Sequence, residues 1–194
     1  MKFKGLEKKQ EGTFITRYDI YYETVDGQEK IYEMISRDKK LKTFEDLHSK
    51  KAEAVILIME DETGERILLN KEFRLAMGEW VFNFPAGLID EGETPDQAAA
   101  RELREETGLE IRKITDYIGE SYSAIGFSNE KNICVVGVAG GTIRKSDSVF
   151  EEIESGWYTR EEVKELLKEY RFSARTQAYC YLWSKITPSA DLTC

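Results

Sequence analysis

A helix with complete start and stop signals is predicted from Pro95 to Thr107, and this segment constrains the fold more than any other. Thr94 is placed to cap the helix, and Gln97, three residues later, completes a capping box. Proline suits the first helical position. Gly108 favours the left-handed backbone conformation that ends many helices. The rest of the chain must therefore supply a core for one face of this helix.

Three glutamates, Glu102, Glu105 and Glu106, stand at positions i, i+3 and i+4 of the predicted helix. Their carboxylates project to one side, whereas Ala99 and Leu103 lie on the opposite stripe and are expected to pack into the core. Like charges at this spacing destabilise an isolated helix by roughly 0.2–0.5 kcal/mol per pair. Mg²⁺ and Mn²⁺ prefer hard oxygen ligands and would neutralise them. For three glutamates alone, a solvated acidic helix face is the competing interpretation.

The residues around the glutamates resemble the signature of the Nudix hydrolase family. The match reads Gly87, five residues, Glu93, seven residues, Arg101-Glu102-Leu103, one residue, Glu105-Glu106, one residue, Gly108-Leu109. Average residue frequencies give this string by chance about once in ten million chains of this length. The resemblance covers residues 87–109 without a departure. It implies an α+β fold, an α/β/α sandwich with a mixed sheet, and hydrolysis of a pyrophosphate linkage.

The resemblance also implies a role for each residue of the box. Glu102, Glu105 and Glu106, with the main-chain carbonyl oxygen of Ala86, would hold two or more Mg²⁺ ions, or Mn²⁺ in their place. Arg101 would orient the carboxylates and counts with Glu105 among the catalytic residues. Structural roles would fall to the remaining box positions Gly87, Glu93 and Gly108. Bound divalent ions lower the pKa of water and stabilise the leaving oxygen of a phosphoanhydride.

Three further segments resemble the ADP-ribose pyrophosphatase branch, whose members hydrolyse nucleoside diphosphate sugars. They are the strand Glu72-Phe73-Arg74, the segment Phe82 to Gly87 that leads into the box, and the loop Ser123 to Glu130. This branch predicts hydrolysis of ADP-ribose to AMP and ribose 5-phosphate. Ile125 replaces the marker proline of the branch, and proline fixes the backbone of a loop. GDP-mannose or another nucleotide sugar therefore stays open as the substrate.

Two other functions compete with this prediction. A sanitising pyrophosphatase for nucleoside triphosphates would share the fold, but such enzymes are often shorter and lack an amino-terminal hairpin. A non-catalytic Nudix module that senses a ligand belongs to a different class. Such modules usually lose carboxylates of the box, and this chain keeps them all.

Four residues outside the box are candidates for the reaction or for substrate binding. Glu130 resembles a glutamate that serves relatives as general base or additional metal ligand; the alternative is an exposed loop acid. Arg74 would bind a phosphate or ribose, or is a surface charge at a strand end. Tyr22 and Trp80 would stack on a base, or belong to the core. The lone His48 is interpreted as a surface residue.

The chain is predicted to divide into residues 1–50, an amino-terminal β subdomain, and residues 51–194, the Nudix hydrolase domain. Residues 12–36 predict an antiparallel β-hairpin with its turn at Asp26-Gly27. Its large side chains on both faces indicate a sheet covered by the main domain or a subunit interface. In relatives of the branch, this subdomain forms the homodimer and completes the substrate pocket of the partner. Residues 37–52 are the predicted linker.

Strands are predicted at residues 52–59, 66–74 and 80–84, followed after the box by further strands. Thr159 and Glu162 predict a second capping box, which opens a helix to about Tyr170. Ser173 is predicted to cap a last helix that reaches about Lys185.

Composition limits the partners and the compartment. The net charge of −9 repels nucleic acid backbones, and the longest apolar run, Ala54 to Met59, is too short to cross a bilayer. No nucleic acid or membrane partner is expected. Three cysteines at unrelated spacings, Cys134, Cys180 and Cys194, predict reduced thiols in a cytoplasmic protein.

Overall fold

The computed structural model describes residues 1–48, 51–148 and 150–186 of the chain. These residues form two compact units. The first contains Met1–Ala54 and Gly119–Ile133, and the second contains Val55–Ile118 and the segment that begins at Cys134. Cys194 lies outside the described residues.

The first unit is built on a three-stranded antiparallel sheet in the order β1-β2-β3. The strands are β1 (Lys2–Glu11), β2 (Thr16–Glu23) and β3 (Glu29–Ser36). The hairpin between β2 and β3 is confirmed, with Gly27 at φ 82° in the turn. Strand β1 was not predicted because its sequence is mostly charged; pairing with β2 from Lys2 to Glu11 satisfies the backbone groups on one edge of the strand.

The predicted linker is wrong for residues 37–48, which are part of the first compact unit. Leu41 is buried in one cluster with Tyr18, Ile20 and Met34. A 3₁₀ turn, Glu45–Leu47, follows, and the Asp46 carboxylate accepts the backbone N–H groups of Lys42 and Thr43 at 2.9 Å each. One apolar anchor and local hydrogen bonds thus fix a stretch whose composition is that of a loop. Ser49 and Lys50, which belong to the same prediction, lie outside the described residues.

The second unit contains most of an eight-stranded mixed sheet, with the path β11-β6-β5-β4-β9-β8; β10 pairs with β5 and β7 with β4. The strands are β4 (Ala54–Glu60), β5 (Arg66–Arg74), β6 (Glu79–Asn83), β7 (Ala86–Leu88), β8 (Glu110–Tyr122), β9 (Lys131–Gly140), β10 (Ile153–Thr159) and β11 (Arg171–Phe172). Pairing of β5 with β6 and β10 is antiparallel, whereas β11 joins β6 in parallel.

Within the described residues, three helices cover the two faces of this sheet: α1 (Pro95–Thr107), α2 (Arg160–Glu169) and α3 (Ala174–Trp183). Ile67 and Leu69 of β5 pack with Val163 of α2 and Trp183 of α3. Asn70, which points to the opposite face because strand side chains alternate, contacts α1. The predicted α/β/α sandwich is confirmed.

The helix ends follow the sequence signals closely. In both predicted capping boxes, on α1 and α2, the threonine hydroxyl and the side chain three residues later satisfy each other's backbone N–H groups. Gly108 ends α1 at φ 75°. Ser173 does stand at the start of α3, but the predicted side-chain cap is wrong. Its hydroxyl donates instead to Asn83 Oδ1 at 2.7 Å.

Candidate active site

Helix α1 presents its three glutamates in three different environments. Ala98, Ala99 and Leu103 are fully buried and fix the helix against the sheet, as predicted for the last two. Glu106 is carried into the protein and is only 8% exposed. The Glu102 side chain is 14% exposed and that of Glu105 is 47% exposed.

Arg101 lies at the centre of a network of acceptors. Its Nε and one terminal nitrogen donate to the two carboxylate oxygens of Glu93, at 2.9 Å each. It also donates to the carbonyl oxygen of Leu88 at 2.9 Å, to Glu102 at 2.7 Å and to Glu105 at 3.3 Å. These bonds hold the pKa of the guanidinium well above its ordinary value and lower the pKa of Glu93 to about 2. Arg101 therefore connects the loop before α1 to the carboxylates on it.

Gly87 gives Glu102 the space that it occupies. A Cβ atom at position 87 would stand 1.9 Å from Cδ of Glu102 and 2.0 Å from Oε1. Any side chain at this position would displace the carboxylate, so the glycine is required by close approach.

One carboxylate oxygen of Glu106 accepts two hydrogen bonds, one from a side chain and one from the backbone. Its Oε2 accepts Nδ2 of Asn70 at 2.8 Å and the backbone N–H of Ala86 at 3.3 Å. Burial raises the pKa of Glu106 well above its ordinary value, and the negative charges of Glu102, Glu72 and Glu151 raise it further. Burial likewise raises the pKa of Glu102, although Arg101 opposes the shift. Excess negative charge is thus concentrated beside α1.

The three glutamates line one cavity of about 380 Å³, called the α1 cavity below, together with Ser146, Asp147, Ser148 and Glu151. The backbone N–H of Asp147 donates to the carbonyl oxygen of Glu105 at 3.0 Å, which fastens this loop to α1. Sequence reasoning missed Glu151. The available signal was the pair Glu151-Glu152 directly before a strand, but an acidic pair more than forty residues from the box looks like a solvated loop.

The sequence matches the family model described as NUDIX domain over residues 50–179. The chain belongs to the Nudix family. The match includes the whole box and all three helices except the end of α3. Nudix hydrolases generally use divalent metal ions.

Individual relatives show similarity over shorter segments. Residues of this Nudix chain are 54% identical to the ADP-sugar pyrophosphatase of Mus musculus over 44 positions, which cover 23% of this chain and 20% of that protein. The ADP-ribose pyrophosphatase of Saccharomyces cerevisiae is 43% identical over 83 positions, 43% of this chain and 35% of that protein. The matched segments span less than two thirds of the length of these curated relatives.

A solved structure supports the fold of this Nudix chain independently. A crystal structure described as an ADP compounds hydrolase superposes with a TM-score of 0.72, covering 94% of this chain and 92% of that one at 20% sequence identity.

The residues beside α1 fit a hard divalent cation. They supply carboxylate oxygens in a partly enclosed cavity, and burial together with mutual repulsion penalises their charges. In the described ranges, no three histidine, cysteine or acidic side chains are already arranged to hold a metal ion. Glu102 accepts a hydrogen bond from Arg101, and one oxygen of Glu106 accepts a hydrogen bond from Asn70, while both side chains line the cavity.

The remaining sequence candidates lie in different surroundings. Arg74 lines a second cavity of about 220 Å³, which shares Glu151 with the first, and it donates to Glu72 at 3.4 Å. Trp80 makes an edge contact with Phe73, at 5.8 Å between ring centroids. Arg74 is therefore beside the α1 cavity, whereas nothing brings Trp80 into either cavity lining.

Tyr22 and Glu130 belong to the first unit. Tyr22 packs edge-on against Phe3, at 6.0 Å between centroids. Glu130 accepts Nε of Arg37 and the hydroxyl of Ser123, both at 2.8 Å. His48 makes an edge contact with the ring of Phe44, at 4.8 Å between centroids. No helix in the described residues is long and apolar enough to cross a membrane.

Proposed function

We propose that this Nudix chain is a Mg²⁺-dependent hydrolase of nucleoside diphosphate sugars that converts ADP-ribose to AMP and ribose 5-phosphate. The observation that carries the proposal is the single cavity formed by Glu102, Glu105, Glu106 and Glu151. Similarity to ADP-sugar and ADP-ribose pyrophosphatases supports the substrate. A cytoplasmic homodimer that uses two or more ions, with Mn²⁺ as a substitute, completes the proposal.

The residues of the chain would have three roles: binding divalent ions, orienting the carboxylates and contacting the substrate. Glu102, Glu105 and Glu106, with the carbonyl oxygen of Ala86, would hold divalent ions, which supply charge neutralisation of the diphosphate and a bound water of lowered pKa. Arg101 orients Glu102 and Glu105 through its bonds at 2.7 and 3.3 Å. Arg74, beside the same cavity, is placed to contact a phosphate or a ribose with its planar guanidinium. Trp80 and Tyr22 stay proposals for stacking on the base.

Two carboxylates are candidates for accepting the proton of the attacking water. Glu130 was predicted from the sequence, but Arg37 and Ser123 each donate a hydrogen bond to one of its oxygens. Glu151 lines the cavity itself. Replacing a general base usually lowers turnover by about 10²–10⁴-fold. We expect that loss in kcat for Glu151→Gln and a smaller one for Glu130→Gln; the reverse order would assign the role to Glu130.

The substrate is tested with a panel of ADP-ribose, GDP-mannose, other nucleotide sugars and nucleoside triphosphates in the presence of Mg²⁺, with products separated by chromatography. Release of AMP and ribose 5-phosphate with the highest kcat/KM on ADP-ribose is the expected result. Release of pyrophosphate from triphosphates would identify a sanitising pyrophosphatase. Preference for GDP-mannose would keep the chain among the nucleotide-sugar hydrolases but change its proposed substrate. Glu106→Gln is the matched inactive control, because it removes one ligand oxygen and preserves side-chain size.

A further inference from the structure

The two oxygens of the Glu106 carboxylate have different surroundings. Oε2 accepts both N–H donors, from Asn70 at 2.8 Å and from Ala86 at 3.3 Å. In the described part of the chain, Oε1 accepts no hydrogen bond, and Glu106 lines the α1 cavity. The protein therefore occupies one oxygen and leaves the other for a ligand in the cavity.

Asn70 owes its orientation to Ser155. The two residues are directly opposite each other in the antiparallel pair of β5 and β10, so their side chains stand on the same face of the sheet. The Ser155 hydroxyl donates to Oδ1 of Asn70 at 2.7 Å and also lies 3.2 Å from the carbonyl oxygen of Glu106. With Oδ1 taken by this donor, the amide nitrogen must face Glu106. A flipped amide would place its oxygen against the carboxylate, which repels it.

Burial makes this arrangement costly to break. Asn70 is 1% exposed and Glu106 is 8% exposed, so water does not readily replace a lost donor, and an unsatisfied buried carboxylate oxygen is strongly unfavourable. Strand β6 pairs with β5 along the edge that does not face β10, and there Asn83 stands opposite Asn70. The Asn83 amide donates to Glu72 at 2.9 Å. The sheet thus carries a row of three polar residues, Ser155, Asn70 and Asn83, beneath an acidic site.

We infer that Ser155 and Asn70 form a positioning relay that fixes the direction of the Glu106 carboxylate, so that Oε1 alone is offered to a divalent cation. The inference rests on the proposed function for the identity of the cation. Ser155 sets the amide, the amide holds Oε2, and the held oxygen prevents the carboxylate from rotating or from binding the ion through both oxygens. Residues that orient metal ligands in this way typically change metal affinity or activity by about 10–100-fold when they are replaced.

The relay is tested by measuring Mn²⁺ affinity without substrate, by electron paramagnetic resonance of the free ion. Asn70→Val removes the donor and keeps a residue suited to a strand; the dissociation constant for Mn²⁺ is expected to rise about 10–100-fold. Ser155→Ala is expected to raise it in the same direction by less. Ser155→Thr keeps the hydroxyl and is expected to restore affinity to near that of the unaltered chain.

A matched control separates positioning from general loss of a buried hydrogen bond. Trp183→Phe removes the bond from the indole N–H to Glu60 at 2.6 Å, which involves none of the cavity residues. This variant is expected to melt at a lower temperature with unchanged Mn²⁺ affinity. If Asn70→Val does not fold, the comparison of Ser155→Ala with Ser155→Thr decides alone.

The outcomes distinguish the relay from the proposed function. Unchanged Mn²⁺ affinity in folded Asn70→Val, or in Ser155→Ala where Asn70→Val does not fold, would overturn the relay even if the chain hydrolyses ADP-ribose. A chain that binds Mn²⁺ in a relay-dependent way but hydrolyses no nucleotide sugar would overturn the proposed function and support the relay. Failure of the unaltered chain to bind Mn²⁺ would overturn both.

Discussion

Gly87 and Glu102 approach so closely that the first residue decides where the carboxylate of the second lies. The backbone of Gly87 is not in the left-handed region, so alanine is conformationally acceptable there and only the clash at 1.9 Å matters. The atom that must move is the far end of a flexible side chain. Gly87→Ala is therefore expected to change the melting temperature little and to lower kcat by about 10²-fold, since misplacing a catalytic group by about 1 Å has effects of that size.

Thermal melting and steady-state kinetics on the same preparation check this expectation. A variant that melts much earlier than the unaltered chain would show that the space around Gly87 is rigid. Normal kcat would show that Glu102 tolerates displacement and contributes little to the site.

Glu93 links the stability of the box loop to pH. Hydrogen bonds from Arg101 and from the backbone of Asp90 lower its pKa from an ordinary value of 4.5 to about 2. The ionised form is favoured in the folded state, so its contribution to stability is fully present above 4.5 and is lost as the pH falls toward about 2. Without divalent ions, the melting temperature of the unaltered chain should exceed that of Glu93→Gln at neutral pH, and the difference should shrink across this interval. A difference that is constant with pH would contradict the assignment.

The residues of the box were accessible to sequence reasoning because they are local. One helix carries Arg101 and all three glutamates, and its periodicity fixes which side they share. Glu151 and Asn70 were missed because each reaches the site through tertiary structure, one by a loop and the other by the pairing of β5 with β10. Neither residue type, nor its spacing in the sequence, distinguishes it from an ordinary surface acid or strand amide.

At the level of elements, helices α1 and α2 begin with the same kind of capping box, but only α1 contributes side chains to the candidate site. Thr94→Ala and Thr159→Ala each remove a hydroxyl that accepts the N–H of the third helical residue, and each is expected to lower the free energy of unfolding by about 1 kcal/mol. Only α1 carries the three glutamates that line the α1 cavity. Raising the temperature toward the unfolding transition should therefore reduce the proposed Mg²⁺-dependent activity earlier for Thr94→Ala than for Thr159→Ala.

Urea unfolding and activity measured over a temperature series test the pair. Equal activity loss in both variants at every temperature would show that fraying of α1 does not reach the carboxylates, since its last turn is held independently by Gly108 and by the bond from Asp147 to Glu105.

Elements with strong local signals were predicted well, and those that depend on a neighbour were not. The hydrogen bonds of both threonine caps and of Gly108 join residues only a few positions apart, so the local sequence predicts these helix ends. Strand β1, rich in lysine and glutamate, exists because β2 pairs with it. Ser173 satisfies the pattern of a cap, but Asn83, 90 positions earlier, takes its hydroxyl. Competition from a distant residue leaves no trace in the local sequence.

At the level of the whole molecule, the negative net charge opposes binding of the proposed diphosphate substrate. A chain of net charge −9 repels a diphosphate at long range, and the α1 cavity adds acidic side chains to that field. Binding of an anionic substrate here thus requires cations held at the site. We therefore expect that removal of divalent ions abolishes substrate binding as well as turnover.

Self-association through the first unit is the remaining expectation for the whole molecule. An open apolar groove on that unit is lined by residues that include Tyr22, Tyr32 and Ile125, and Ile125 is 82% exposed. Exposed apolar surface of this kind is typical of an interface between subunits, and a symmetric pair would bury it on both copies. Sedimentation is expected to give twice the chain mass of 22.4 kDa. Ile125→Lys, which needs no change in the core, should shift the equilibrium toward the monomer.

Val25 provides the matched control for this experiment. It is 98% exposed next to the β2–β3 turn and does not line the groove, so Val25→Lys adds the same charge and should leave the mass unchanged. Because a closed dimer would form at one patch only, the two variants should differ in mass at the same protein concentration. If both remain dimeric, another surface joins the subunits. If the unaltered chain is monomeric at micromolar concentration, the groove has a different occupant and the homodimer is excluded from the proposed function.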